Sequence, residues 1–201
     1  ERLQRFAFEL ARTRPGRRLT CVTKSNAQRF GMVLWDEIFS ELKPEYPDIK
    51  TDKVLVDAAT ARMILDPDSL DVLVASNLHG DILSDLAAAL VGSLGIAASG
   101  NIDPSGVYPS MFEPVHGSAP DIIGKGIANP IAAIWSAAMM CEYLGEDTAS
   151  SRLMAAIAEV ARVSEVLPRD LGGDAGTESV TDAIIAMLRR DDLDLKSFGQ
   201  I

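Results

Sequence analysis

Hydrophobic positions recur along this chain with two alternating periods. Leu3, Phe6, Ala7 and Leu10 fall at helical spacing, and Arg14-Pro15-Gly16 ends the run. Leu19 to Thr23 reads as a short strand. Phe30, Val33, Leu34, Ile38 and Leu42 mark a second helix, closed by the turn from Pro44 to Pro47. Lys53 to Val56 and Asp71 to Ala75 are β-branched or apolar runs, with a short helix between them that Asp66-Pro67 ends. An acid-bearing helix then starts at Gly80. Gly92 to Pro130 loses periodicity and is rich in Gly, Pro, Ser and Asn, the character of a loop region that carries sites. Helices are predicted over Pro130 to Leu144, Ser151 to Val166 and Glu178 to Arg190, with a Gly-rich turn, Asp170-Leu171-Gly172-Gly173, before the last. Strands alternating with helices predict an α/β architecture.

Composition narrows the function classes. The 201 residues suffice for one large domain or two lobes. A net charge of -10 argues against nucleic acid and anionic membranes as partners. Two cysteines, Cys21 and Cys141, form no disulfide framework, so a reducing, cytoplasmic setting is expected. No stretch is long and apolar enough to span a bilayer. The opening Glu1-Arg2-Leu3 has neither an initiating Met nor a signal-peptide core, which points to a fragment or a processed chain.

Gly80-Asp81-Ile82-Leu83-Ser84-Asp85 carries the first chemical signal. Asp81 and Asp85 are four residues apart, on one face of what reads as the first turn of a helix. Like charges at that spacing repel. A hard divalent cation turns the repulsion into chelation. The competing reading is that both acids favour the positive end of the helix dipole.

A second signal is Glu113-Pro114-Val115-His116-Gly117-Ser118-Ala119-Pro120-Asp121, whose small residues let backbone amides approach a phosphate or ribose. Asn129-Pro130 reads as an N-cap followed by Pro at the first helical position, and a helix start there favours an anion. An ordinary long loop would carry the same turn residues. Lys24, after a strand, is a candidate for proton transfer or a solvated lysine, and Asp57, ending another strand, is equally open. Two histidines without metal-ligand spacing argue against zinc.

Taken together, these segments resemble the metal-dependent β-decarboxylating dehydrogenases of the isocitrate, isopropylmalate and tartrate/D-malate group. The likeness rests on Lys24-Ser25-Asn26, Val56-Asp57-Ala58, Asn77 through Asp85, Glu113 through Pro130, and Asp170 through Thr177. Thr23-Lys24-Ser25-Asn26 and Trp35-Asp36-Glu37 look most like the tartrate/D-malate branch. His79 stands where many members have Phe, and Ala27 where that branch often has Gly.

The resemblance implies a two-domain isocitrate/isopropylmalate dehydrogenase-like α/β fold, incomplete because the N-terminal part is absent. Residues 1-91 would be the second half of the dimerisation and metal-binding domain, and residues 92-201 the second half of the cofactor-binding domain. Asp81 and Asp85 would bind Mg²⁺ or Mn²⁺, with Asp57 completing the site from the partner subunit of a homodimer. Lys24 would transfer a proton across the same interface, with Asp57 beside it in the catalytic set. Glu113, His116, Gly117, Ser118, Ala119, Asp121 and Asn129 would hold NAD, and the Asp121 carboxylate would disfavour the 2′-phosphate of NADP. The reaction implied is oxidation, with β-decarboxylation, of a 2-hydroxy dicarboxylic acid such as tartrate or D-malate. 3-Isopropylmalate is the alternative substrate, and a non-catalytic dimer-forming homologue or inactive fragment is the alternative of another class. The arginines and tyrosine that grip and protonate substrate in the family lie in the absent part, so the isolated chain is expected to be inactive.

Overall fold

The structure is a computed structural model that describes residues 1–163 and 165–193. The chain divides into two compact units, Glu1–Leu90 and Val91–Ile201.

The first unit is built on a parallel three-stranded sheet. Strands β1 (Arg18–Thr23), β2 (Lys50–Leu55) and β3 (Val72–Val74) lie in the order β2-β1-β3. The central strand is buried from Leu19 to Thr23, as a strand covered on both faces must be. Side-chain alternation sends Leu19, Cys21, Val72 and Val74 to one face, against α1 (Arg2–Thr13) and α2 (Gly31–Leu42). Val22 and Leu73 point the other way, toward Ala59 of α3 (Val56–Leu65) and Leu83 of α4 (Asn77–Val91). The first core centres on Phe8, which stacks between Phe39 at 5.3 Å and Tyr46 at 4.4 Å. Phe8 is fully buried, and Phe8→Ala would cost about 3–5 kcal/mol through lost contact and cavity.

The second unit contains a short antiparallel hairpin, β4 (Ala98–Asn101) and β5 (Met111–Pro114), and three helices, α5 (Ile131–Tyr143), α6 (Asp147–Val163) and α7 (Thr177–Leu188). Its core joins Ile131 and Ala138 of α5, Ala156, Ile157 and Val160 of α6, and Val180 and Ile184 of α7. The hairpin falls inside the stretch that the sequence reads as loop. Gly100 and Pro114 within four-residue strands leave no alternating pattern to see. Its connection is ordered by Asp103, whose carboxylate accepts the N–H groups of Ser105, Val107 and Tyr108.

Candidate functional site

In the first unit, the turn that follows β1 carries Lys24. The carbonyl of Lys24 accepts the N–H groups of Ala27 and Gln28 at 2.9 and 2.8 Å, closing the turn. The ammonium of Lys24 donates to the carboxylate of Asp57. Asp57 does not end a strand, as the sequence reading has it. β2 stops at Leu55, and Asp57 occupies the first turn of α3, where an acid is favoured by the free N–H groups. The hydrogen bond from Lys24 holds the Asp57 carboxyl below the usual carboxylate range.

Asp81 and Asp85 both lie on the solvent side of α4. The helix begins at Asn77, three residues before Gly80, and carries no acid in its first turn. The dipole effect fades within that turn, so it does not account for the pair. Leu78 and Ile82 each lie three residues before one of the acids and are 62% and 52% exposed, so apolar side chains border the two carboxylates. His79 points the opposite way and is 4% exposed, packed into the unit rather than facing the acids. Among the described residues, no three acidic, imidazole or thiol groups gather closely enough to hold a metal ion. Asp57 therefore does not join Asp81 and Asp85 within one chain. The donor set that α4 does offer is all oxygen, which fits Mg²⁺ or Mn²⁺.

The second unit contains a solvent-open cavity of about 800 Å³, within the range of small-molecule sites. His116, Gly117, Ser118, Ala119 and Asn129 line it, and Glu113 and Asp121 do not. Glu113 lies on β5 and is exposed, and Asp121 is exposed in the short turn Pro120–Ile122. That turn opens with Ala119 in the left-handed region at φ 43°, which costs a non-glycine residue about 1–2 kcal/mol.

Asn129 is held at both ends. Its Oδ1 accepts the N–H of Ile131 at 2.9 Å, capping α5, while its Nδ2 donates to Asp170 Oδ2 at 2.9 Å. The same carboxylate oxygen accepts the hydroxyl of Ser93, whose Oγ in turn accepts the N–H of Gly95 at 2.8 Å. A Cβ at Gly95 would lie 2.4 Å from Asp170 Oδ2, so any side chain there would displace that carboxylate. Thr177, at the start of α7 and also lining the cavity, donates its N–H to Gly126 and its hydroxyl to Ala128. The sequence reading assigned no role to Ser93, Gly95 or Thr177. The Asp170 turn reads there as the Gly-rich turn before the last helix and as part of the resemblance, with no site role. Their signal is an acid and a threonine flanking the double-glycine turn, and it is legible only once the chain closes on itself. Gly173 of that turn has the Leu167 carbonyl 2.0 Å from where a Cβ would sit.

The sequence profile described as "Isocitrate/isopropylmalate dehydrogenase" matches residues 1–184. A probable tartrate dehydrogenase/decarboxylase of Agrobacterium vitis is 60% identical over 183 residues, covering 91% of this chain and 51% of that protein. The decarboxylating D-malate dehydrogenase of Escherichia coli (strain K12) is 48% identical, covering 94% of this chain and 54% of that protein. The crystal structure of isocitrate dehydrogenase from Methylococcus capsulatus superposes with a TM-score of 0.89 at 44% identity, covering 94% of this chain and 56% of that one. The chain thus spans about half the length of the relatives it matches.

Proposed function

Because the chain belongs to the isocitrate/isopropylmalate dehydrogenase family, we propose that its full-length protein is an NAD- and divalent-metal-dependent decarboxylating dehydrogenase. Its substrate would be a 2-hydroxy dicarboxylic acid of the tartrate or D-malate type, the compounds named for two of its relatives. The cavity of the second unit carries this reading, because the segment read as dinucleotide-binding forms much of its wall. Small residues at Gly117, Ser118 and Ala119 leave backbone amides open to a phosphate or ribose. Asn129 is fixed for recognition by Asp170. Glu113 and Asp121 lie outside the cavity wall, and Asp121, on an exposed turn next to it, is the group we assign to discriminate against a 2′-phosphate.

Asp81 and Asp85 are the residues that would hold Mg²⁺ or Mn²⁺, with Asp57 of a second copy of the chain completing the set. A divalent cation there supplies Lewis acidity toward the substrate oxygens. The chain's own residues do the rest. Asp57 fixes the Lys24 ammonium at the end of its side chain, and Lys24 Nζ is the position at which a proton is held or given. The exposed Leu78 and Ile82 on α4 would be covered in the homodimer, which brings the two halves of each site together. In this reading residues 1–91 belong to the dimerising and metal-binding domain and residues 92–201 to the cofactor domain, in a cytoplasmic enzyme.

The test uses the full-length protein, with NADH formation from D-malate, tartrate and 3-isopropylmalate measured with and without Mn²⁺. Metal-dependent NADH formation is expected with at least one of them. Asp85→Asn should weaken Mn²⁺ binding by calorimetry and lower turnover sharply. Mn²⁺ affinity unchanged in Asp85→Asn would remove the metal assignment, and no NADH from any of the three would remove the substrate class.

A further inference from the structure

Trp35-Asp36-Glu37 is the one segment of the resemblance that the proposed reaction leaves without a role. Asp36 is buried on α2, with its side chain 12% exposed. One oxygen, Oδ2, accepts two hydrogen bonds from two other elements. Lys53 Nζ on β2 donates at 2.8 Å, and Ser25 Oγ in the turn after β1 donates at 2.8 Å. Ser25 is the neighbour of Lys24. We propose that Asp36 is a positioning residue, which holds the Lys24 turn in place through the Ser25 hydroxyl. This rests on the reading of Lys24 as the proton-transfer group.

A buried carboxylate is tolerated only when it is paired and hydrogen-bonded. Lys53 supplies the opposite charge, so the Ser25 bond has no neutralising task and its consequence is geometric. Burial pushes the Asp36 carboxyl up, but its interactions with Lys53, Thr23 and Ser25 together leave it below the ordinary range. At neutral pH the acceptor is therefore a full carboxylate, and a hydrogen bond to a charged acceptor is roughly twice as strong as a neutral one. Among the described residues, the turn is otherwise held by the two bonds to the Lys24 carbonyl, by the N–H of Ser25 on Thr23 Oγ1 at a long 3.3 Å, and by the bond from the Lys24 ammonium to Asp57. Lys24 is thus fixed at both ends, its backbone by Ser25 and Asp36 and its ammonium by Asp57. The segments Thr23 to Asn26 and Trp35 to Glu37, separate in the sequence, are one hydrogen-bonded device.

Ser25→Ala and Ser25→Thr in the full-length protein test this, because Asp36→Asn would also remove the ion pair with Lys53. Amide exchange at Ala27 and Gln28 reads the turn directly, without reference to catalysis. Ser25→Ala is expected to speed that exchange at least tenfold, leave the melting temperature nearly unchanged, and lower kcat tenfold or more with KM for NAD unchanged. Ser25→Thr, which keeps the hydroxyl, should restore both exchange and kcat. Unchanged exchange in Ser25→Ala overturns the proposal. So does faster exchange with unchanged kcat if Lys24→Ala abolishes turnover. Faster exchange with unchanged kcat, where Lys24→Ala is itself fully active, upholds the anchoring of the turn and removes the role assigned to Lys24.

Discussion

Lys24 and Asp57, separated by 33 residues in sequence, meet as an ion pair that joins the turn after β1 to the first turn of α3. The lysine is mostly covered, and the acid is 65% exposed. One end of the pair is thus fixed by the fold and the other stays available to solvent or to a ligand. Lys24→Ala in the full-length protein is expected to lower kcat by about 10²–10⁴-fold, the usual weight of a positioned proton donor or acceptor. KM for NAD should be unchanged. Initial rates of NADH formation check this. The carboxyl of Asp57 is depressed in the folded chain, so the pair's contribution to stability is present above the ordinary Asp value of about 3.9 and is lost as pH falls below it.

Gly95→Ala tests the cavity wall. Its new methyl would lie 2.4 Å from the Asp170 carboxylate and 3.2 Å from Asn129 Cβ, and both side chains would have to move. NAD binding is expected to weaken about tenfold or more, equivalent to about 1.4 kcal/mol. Calorimetric titration with NAD measures it. Asn129→Ala should lose affinity similarly while leaving Mn²⁺ binding untouched, because α4 does not depend on this wall.

His79 is buried on the core side of α4, and its Nδ1 has no hydrogen-bond partner among the described residues. Leaving a buried polar atom unpaired costs about 1–3 kcal/mol. His79→Phe removes that atom and fills the space with apolar surface beside Leu83. The urea midpoint is expected to rise, by about 1 kcal/mol in stability, with no loss of Mn²⁺ affinity.

Burial pushes the Cys21 thiol up to about 12, in the centre of the parallel sheet. The folded chain holds this proton where the unfolded chain, near an ordinary thiol value of about 8.5, has lost it. Stability is therefore complete below about pH 8.5 and falls as pH rises from there toward 12. Urea midpoints at pH 8 and pH 10 should show the decline, and Cys21→Ala should flatten it. Thiol reagents at pH 8 should modify Cys141, which is partly exposed, and reach Cys21 only on unfolding.

The sequence was most legible where periodicity and burial coincide. Strand β1 and helices α1, α2, α5 and α7 lie within a few residues of their hydrophobic patterns, because β1 is buried on both faces and the helices bury apolar residues at helical spacing. The α4 start was misplaced, since Asn77 and Leu78 are exposed and leave no pattern to extend. The β4–β5 hairpin was missed, since its strands carry Gly and Pro instead of β-branched residues. At the site, loop composition pointed to His116 through Ala119 and to Asn129. Composition could not reveal Ser93 or Gly95, whose place is set by bonds to distant partners. Nor could it reveal that Ser25 bonds to Asp36, because no local rule ties a turn serine to an acid eleven residues on.

Several of the hydrogen bonds that close the cavity of the second unit are long-range. Ser93 and Asp170 are 77 residues apart, Thr177 and Ala128 are 49 apart, and Asn129 and Asp170 are 41 apart. Each closes a large loop whose entropy must be met before the bond returns anything. During folding, the binding wall can therefore form only after α5, α6 and α7 have docked, and it comes late in the sequence of events. Under the proposed function, a dinucleotide bound there would recognise only the completed state. At a hundredfold excess over its dissociation constant it would stabilise that state by about 2.7 kcal/mol, so the cofactor would act on the lifetime of the fold as well as on its chemistry.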